Sequence, residues 1–270
     1  MKSKFRIDVI KNQRMDMGDG VRPSAAIERK YALFPNDDMV TATLYNNQLY
    51  EPYLYEFIHE NRIDVEGTTI IDVGGNNGQI AIEFANLVGD EGCVHTFEPQ
   101  RIIYQQLCGN IFMNGLDNVW VHNVALGSES GKIDVEKPDY HSIGYVNFGD
   151  VHVGLKSEKF EIVDVMPMDS YNLKNVSIIK IDVQGFEINV LRGAKKTIEE
   201  NRPIIFVEVE QDQLSRYGES ESSLIKEIED MGYYAKRFYE DLTFMSSSGK
   251  CLDFVCIPKE KMVGRDFIVR

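Results

Sequence analysis

The chain has 270 residues, 43% of them hydrophobic, and 29 basic against 43 acidic side chains give a formal net charge of −14. That length holds one large α/β domain with a substantial core. The negative balance opposes nonspecific binding to a nucleic-acid backbone, which carries the same sign. The longest apolar runs, such as residues 204–207, are strand-length and too short to cross a membrane as a helix. The N-terminus lacks the apolar stretch of a secretory signal, and Cys93, Cys108, Cys251 and Cys256 show no Cys-x-x-Cys spacing. We therefore expect buried thiols in a reducing, cytoplasmic setting.

In chain order, residues 1–48 carry weak periodicity and read as an N-terminal extension or cap. Within it, 32–34 and 39–43 are expected as short strands around a turn at 35–38. A helix is expected over 53–59, opened by Tyr50-Glu51-Pro52. Residues 68–73 are apolar and β-branched, the pattern of a buried parallel strand. A glycine-rich turn follows, then a helix from about 78 to 88 with Ile80, Phe84, Leu87 and Val88 on one face. Strand 93–97, helix 102–114 and strand 119–121 continue the alternation. Residues 128–168 mix turn residues with alternating segments at 132–135 and 161–165, and read as a hairpin-rich insertion on the acceptor side of the site.

The alternation resumes with strand 176–182, a helix from Glu187, strand 203–210 and a helix over 222–231. Segments 234–238, 242–244 and 252–257 close the chain as strands. No helix separates the last two, so that pair must be antiparallel. The expected fold is α/β and Rossmann-like over 49–270, a mostly parallel seven-stranded sheet with a terminal antiparallel hairpin.

The turn Asp72-Val-Gly74-Gly-Asn76-Asn77-Gly78 carries the chemistry. Gly74 and Gly78 let a ligand approach the backbone, and the helix start offers unpaired N–H groups to an anion. Glu98, in Phe97-Glu98-Pro99, ends the next strand, where a carboxylate can take both hydroxyls of a ribose. A nucleoside-containing cofactor follows. Asn76 or Asn77 falls where a dinucleotide fingerprint needs its second glycine, and no Lys-Ser/Thr follows Gly78 as a P-loop requires. The Asp72-x-Gly74-x-x-x-Gly78 spacing instead matches the turn of S-adenosylmethionine-dependent methyltransferases. Asp72 can then meet the ammonium of the methionine part. Asn123 and Ala125 follow the third strand, where adenine commonly packs in such folds.

On these residues the chain resembles the FkbM family of S-adenosylmethionine-dependent methyltransferases. Residues 71–78, 97–99 and Lys180-Ile-Asp182-Val-Gln-Gly185-Phe-Glu187, with 190–194 behind, carry the likeness. Tyr50-Glu51-Pro52, 123–127 and Val207-Glu208 add support, so it covers roughly residues 30 to 257. The resemblance implies a class I methyltransferase fold, S-adenosyl-L-methionine as cofactor, and O-methylation of hydroxyls on sugars, glycans or polyketide-like metabolites. The cofactor-binding candidates are Glu51, Asp72, Gly74, Asn76, Asn77, Gly78, Glu98, Pro99, Asn123, Ala125 and Asp182. The sequence departs from the family pattern at Gln184, usually Glu, at Gly75 and Asn77, more usually Ala and Ile, and at Glu210, where His is frequent.

Methyl transfer from a sulfonium is an in-line displacement, and a sugar hydroxyl needs a base to take its proton. Asp182 is the first candidate, because it ends a strand at the edge where open α/β sheets bind ligands. Glu208 ends the neighbouring strand and shares a face with Glu210 there. His141 is an alternative base or an acceptor-binding group. Lys180 lies on the strand face of Asp182 and can pair with it. Tyr140, Tyr145 and Phe148 offer a sugar-stacking wall, with core packing as their default. Asp182 and Glu208 could hold Mg²⁺ with a third ligand from the insertion, but no compact ligand cluster is visible and no metal is expected. The expected partner is a small-molecule or glycan acceptor, with no nucleic acid and no membrane. The alternatives are an RNA ribose O-methyltransferase, which would want a Lys-Asp-Lys-Glu constellation and a basic groove, and a non-catalytic methyltransferase-like binding protein. The acceptor and the oligomeric state are not set by the sequence.

Overall fold

The computed structural model describes residues 6–15, 26–35, 39–142, 146–238 and 253–269. The expected strand at 242–244, Tyr145 and Cys251 lie outside these residues. A hairpin of β1 (Asp8–Met15) and β2 (Ala26–Leu33) leads into helices α1 (Met39–Tyr45) and α2 (Pro52–Glu60). Then follow β3 (Thr69–Val73), α3 (Gln79–Val88), β4 (Cys93–Phe97), α4 (Arg101–Met113) and β5 (Val119–His122). A smaller group, β6 (Ala125–Leu126), β7 (Gly131–Glu136) and β8 (Phe160–Met166), comes next. The chain continues through β9 (Val176–Ile181), α5 (Glu187–Arg192), α6 (Lys195–Asn201) and β10 (Ile204–Glu208). It closes with α7 (Gln211–Arg216), α8 (Glu221–Asp230), β11 (Tyr233–Arg237) and β12 (Asp253–Pro258).

The main sheet has seven strands in the order β11-β12-β10-β9-β3-β4-β5. Neighbours from β10 to β5 are parallel, and β12 runs antiparallel to both β10 and β11. The expected α/β fold with its terminal antiparallel hairpin is the one observed. Alternation along each strand sends side chains to two cores. Ile70, Val94, Ile178 and Phe206 pack beneath α2, α3 and α4, whereas Ile71, Ile179, Ile205 and Val207 pack against α5, α6 and α8. β3 is buried at all five positions, which is why it reads as an unbroken apolar run. The order of the sheet reverses between β3 and β9, and ligands bind at the carboxyl ends of strands beside such a switch point.

Three expectations are corrected. Residues 39–43 belong to a helix, not a strand: Val40 and Leu44 stand four apart and are both buried, and this packing overrides the strand preference of Val and Thr. Leu87 is exposed, lying with Asn86 on the solvent side of α3, whose residues from Gln79 to Ala85 and Val88 are buried. The strand expected over 203–210 ends at Glu208, and Glu210 is the N-cap residue of α7, so the two glutamates do not share a strand face.

The N-terminal hairpin is tied to the sheet through side-chain amides. Gln106 and Asn110 on α4 and Asn114 at its C-cap recur every four residues and so share a face. Asn114 Oδ1 accepts the Lys30 N–H at 3.0 Å and its Nδ2 donates to the Lys30 carbonyl at 2.8 Å. Asn110 Oδ1 accepts the Ala32 N–H at 2.7 Å, and Gln106 Nε2 donates to the Ala32 carbonyl at 2.8 Å. Three amides thereby satisfy the main chain of β2 much as a neighbouring strand would.

In the insertion, β8 pairs with β7 antiparallel and with β6 parallel, over a small core of Ala125, Val135, Val151, Val153 and Val165. Tyr140 and Phe148 are buried against Phe34, with ring centroids 5.6 and 4.9 Å from it, so these two rings are core rather than an open stacking wall. Among the described residues, no helix is long and apolar enough to cross a membrane.

Candidate active site

The turn after β3 is held by its neighbour. The Gly74 and Gly75 N–H groups both donate to the Phe97 carbonyl at 3.0 Å, which aims the turn along the end of β4. Asn76 takes the left-handed region at φ +43°, a conformation that asparagine tolerates better than most side chains. Asn77 Oδ1 accepts the Gln79 N–H at 3.1 Å and so closes the start of α3. The Asn77 carbonyl is bonded in turn by Asn110 Nδ2 at 2.8 Å. The same face of α4 that carries the hairpin therefore also holds the glycine turn.

Two acids flank this turn. Asp72 is fully buried; its Oδ2 accepts the Thr96 hydroxyl at 3.0 Å, while Oδ1 has no partner among the described residues. Burial pushes its carboxyl up to about 6, against the opposing pull of Lys180 and Thr96. Glu98 Oε2 accepts the Asn76 N–H at 3.0 Å and Oε1 accepts the Gln100 N–H at 2.8 Å. Burial raises it to about 7 despite those two amides. Asn123 is exposed, and its Nδ2 braces the same segment by donating to the carbonyls of Glu98 and Pro99 at 2.9 and 3.1 Å.

At the centre lies Lys180, 3% exposed on β9. Its ammonium is 3.1 Å from Asp182 Oδ2 and 3.4 Å from Glu51 Oε2. Glu51 sits directly before α2, in the left-handed region at φ +50°. Burial pulls the lysine down, but Asp182, Glu51, Asp72 and Asp253 outweigh it and hold the ammonium well above its ordinary range. Burial pushes Glu51 up to about 8 in spite of that cation.

Asp182 and Glu208 follow and end adjacent parallel strands, β9 and β10, and their carboxyl groups share a hydrogen bond. Burial opposes ionisation of Asp182, yet Lys180, Glu208 and Gln184 hold its carboxyl below the ordinary range. Glu208 is driven the other way, by burial first and then by the charges of Asp182 and Asp253. The two carboxyls are thus pushed in opposite directions, Asp182 toward its ionised form and Glu208 toward its protonated one.

The model of the FkbM methyltransferase domain matches residues 72–234. The chain belongs to the FkbM methyltransferase family. It is similar to Methyltransferase 1 of Beauveria bassiana, 24% identical over 143 residues that span 46% of this chain and 57% of that protein. It is also similar to the crystal structure of an FkbM methyltransferase from Methylobacillus flagellatus, with a TM-score of 0.48, 16% identity and coverage of 81% of this chain and 53% of that one. An S-adenosylmethionine-dependent O-methyltransferase of Thermotoga maritima gives a TM-score of 0.47 at 15% identity, covering 88% of this chain and 76% of that one. The chain spans just over half the length of the fungal relative and of the Methylobacillus protein. At these values the likenesses carry no argument about the acceptor.

The cofactor of this FkbM domain is S-adenosylmethionine, and the residues present suit it. Asp72 Oδ1 and Asn76 Oδ1 are buried acceptors with no donor among the described residues, a costly arrangement that an ammonium or hydroxyl group would relieve. One departure from the family pattern has a local reason. A Cβ at Gly75 would fall 2.2 Å from the Thr96 hydroxyl, which fills that space in order to reach Asp72.

Other candidates stand apart. Ala125 is buried in the core of the insertion. His141 is exposed on the turn after Tyr140, its N–H donating to Asp139 Oδ1 at 3.0 Å. The hydrogen-bonded chain that leaves the carboxyl pair reaches His152 instead. His152 Nε2 lies 2.8 Å from Gln213 Oε1, and Gln213 bonds Gln184. Sequence reasoning missed His152, Gln213 and Asp253. Asp253 pairs in register with Glu208 across β12, and the Tyr53 hydroxyl donates to its carboxylate, contacts that only the folded sheet creates. Glu187 was readable in part: it opens α5, and its Oε1 accepts the N–H groups of Val183 and Gly185 at 3.2 and 2.9 Å. Among the described residues, no group of three or more His, Cys, Asp or Glu side chains is placed to hold a metal ion.

Proposed function

We propose that this protein is an O-methyltransferase acting on a hydroxyl of a sugar, glycan or related metabolite. The observation that carries the reading is the Asp182–Glu208 pair at the ends of β9 and β10, set beside the cofactor turn with the Lys180 ammonium 3.1 Å from Asp182. When bound, S-adenosylmethionine supplies an electrophilic methyl carbon on a sulfonium. Asp72 and Glu51 meet its ammonium, Glu98 its ribose hydroxyls, and the turn from Gly74 to Gly78 its carboxylate. Pro99 and Asn123 would flank its adenine, with Ala125 in the insertion core behind them.

Asp182 then accepts the proton of the acceptor hydroxyl as the carbon–oxygen bond forms. Lys180 keeps Asp182 ionised, and Glu208 orients it through their shared hydrogen bond. His141, exposed on the insertion, is assigned to acceptor contact rather than to proton transfer. The net charge of −14 would repel a polyanion at long range, which favours a neutral acceptor over RNA.

The test is transfer of label from tritiated S-adenosylmethionine to a panel of glycans, free sugars and RNA. Incorporation into a carbohydrate hydroxyl is expected. Transfer to RNA exceeding transfer to every carbohydrate would overturn the assignment.

A further inference from the structure

The side chain of Gln184 spans the two carboxyl groups. Its amide nitrogen lies 3.2 Å from Asp182 Oδ1 and 3.0 Å from Glu208 Oε2, so each acid takes one N–H. Its oxygen accepts from Gln213 Nε2 at 3.2 Å, and Gln213, buried on α7, also donates to Asp150 Oδ1 of the insertion at 3.0 Å. The Gln213 contact fixes which end of the Gln184 amide faces the acids, because the nitrogen donates and the oxygen accepts. Gln184 occupies the left-handed region at φ +54°, in the turn between β9 and α5, which turns its side chain toward both strand ends. Glutamate, the family's usual residue here, has no hydrogen to give either acid when ionised and would add a third carboxylate.

We propose that Gln184 is a positioning residue: its amide sets the spacing of Asp182 and Glu208, and Gln213 links that spacing to the insertion through Asp150. This rests on the reading of Asp182 as the group that accepts the acceptor's proton. The charged and titratable groups facing the pair come from every surrounding element. They are Lys180 on β9, Asp72 on β3, Glu98 after β4, Glu51 and Tyr50 before α2, Asp253 on β12, Glu187 on α5 and Glu210 before α7. All of these remain when the amide is removed. A donor favours the charged form of an acid, so losing the Gln184 N–H groups makes both carboxyls harder to ionise.

The test uses full-length protein labelled with ¹³C at glutamate carboxyl carbons, the Glu208 signal being assigned with Glu208→Gln. Glu208 is titrated in the wild type, Gln184→Leu and Gln184→Asn, without acceptor. Asparagine keeps the amide and tolerates a positive φ, but is one methylene too short to span both acids. It therefore decides the matter if the leucine variant does not fold. We expect the Glu208 midpoint to rise by about one unit in either variant, with S-adenosylhomocysteine affinity unchanged. With the best acceptor from the panel, kcat should fall about tenfold or more while KM for S-adenosylmethionine holds, and the rising limb of the pH profile should move upward. Gln213→Leu should shift the midpoint in the same sense by less. An unmoved Glu208 midpoint, or a shift accompanied by an equal loss of S-adenosylhomocysteine binding, would overturn the proposal. If no carbohydrate is methylated, the hydroxyl-acceptor reading fails, and the Glu208 titration still decides the role of Gln184.

Discussion

A Cβ placed on Gly74 would fall 1.9 Å from the carbonyl oxygen of Asp182. The turn that receives the cofactor and the residue proposed to take the proton are thus built against each other's backbone. Gly74 also has φ +91°, and the Asp182 N–H donates to the Val73 carbonyl at 3.0 Å. Gly74→Ala must push the end of β9 away and adopt a strained conformation, costing at least about 1–3 kcal/mol. Lower Tm and loss of S-adenosylhomocysteine binding by calorimetry are expected. An alanine variant with the stability and affinity of the wild type would show that the contact is not tight.

Glu98→Ala removes a carboxylate proposed to hold both ribose hydroxyls, costing on the order of 1.5–3 kcal/mol of binding. Calorimetry should show at least about tenfold weaker binding of S-adenosylhomocysteine. Because Glu98 also accepts the N–H groups of Asn76 and Gln100, the variant should lose thermal stability as well. NAD binding more tightly than S-adenosylhomocysteine to the wild type would contradict the nucleotide assignment.

Asn110 is fully buried between the hairpin and the glycine turn. Asn110→Ala leaves the Ala32 N–H and the Asn77 carbonyl without these partners, for about 2–4 kcal/mol of lost stability. Hydrogen exchange should accelerate at β2 amides before it does in β3. Uniform acceleration across the sheet would mean that the hairpin is not separately latched.

The site also sets a pH dependence. Burial raises Glu98 and Glu187 to about 7 and Glu51 to about 8, and holds Glu208 well above the ordinary carboxylate range. Above pH 7 these acids are already ionised in the unfolded chain while the folded chain still holds protons. Stability is therefore lost as pH rises through the folded values. Asp182, His95 and His122 are shifted downward and have finished titrating below this window. Tm of the ligand-free protein should fall between pH 7 and pH 9 at fixed ionic strength, by several degrees for each ~1–2 kcal/mol lost. A flat or rising Tm would place the acids in solvent.

The βα alternation, the glycine turn and the acids at strand ends are local patterns, so Asp72, Glu98, Asp182 and Glu208 could be placed on their elements from sequence. The pairing of Lys180 with Asp182 followed from two-residue alternation on one strand. What escaped depends on packing between distant segments. The helix at Met39–Tyr45 forms because Val40 and Leu44 find the core, which residue preference alone does not foretell. Tyr140 and Phe148 are core, their expected default, but their partner Phe34 lies more than a hundred residues away and could not be read from their own neighbourhood. Gln184 was visible only as a departure from a pattern; its partners Gln213 and Asp150 lie on α7 and in the insertion and carry no motif.

The central claim is that Asp182 takes the acceptor's proton, and Asp182→Asn tests it most directly. The amide keeps the size of the side chain and its contact with Gln184 but cannot accept that proton. With the acceptor found by the labelling panel, kcat should fall by roughly 10²–10⁴-fold, S-adenosylhomocysteine affinity should change much less, and the rise of rate with pH should disappear. Unchanged turnover, or a loss of S-adenosylmethionine binding in proportion to the loss of activity, would contradict the account.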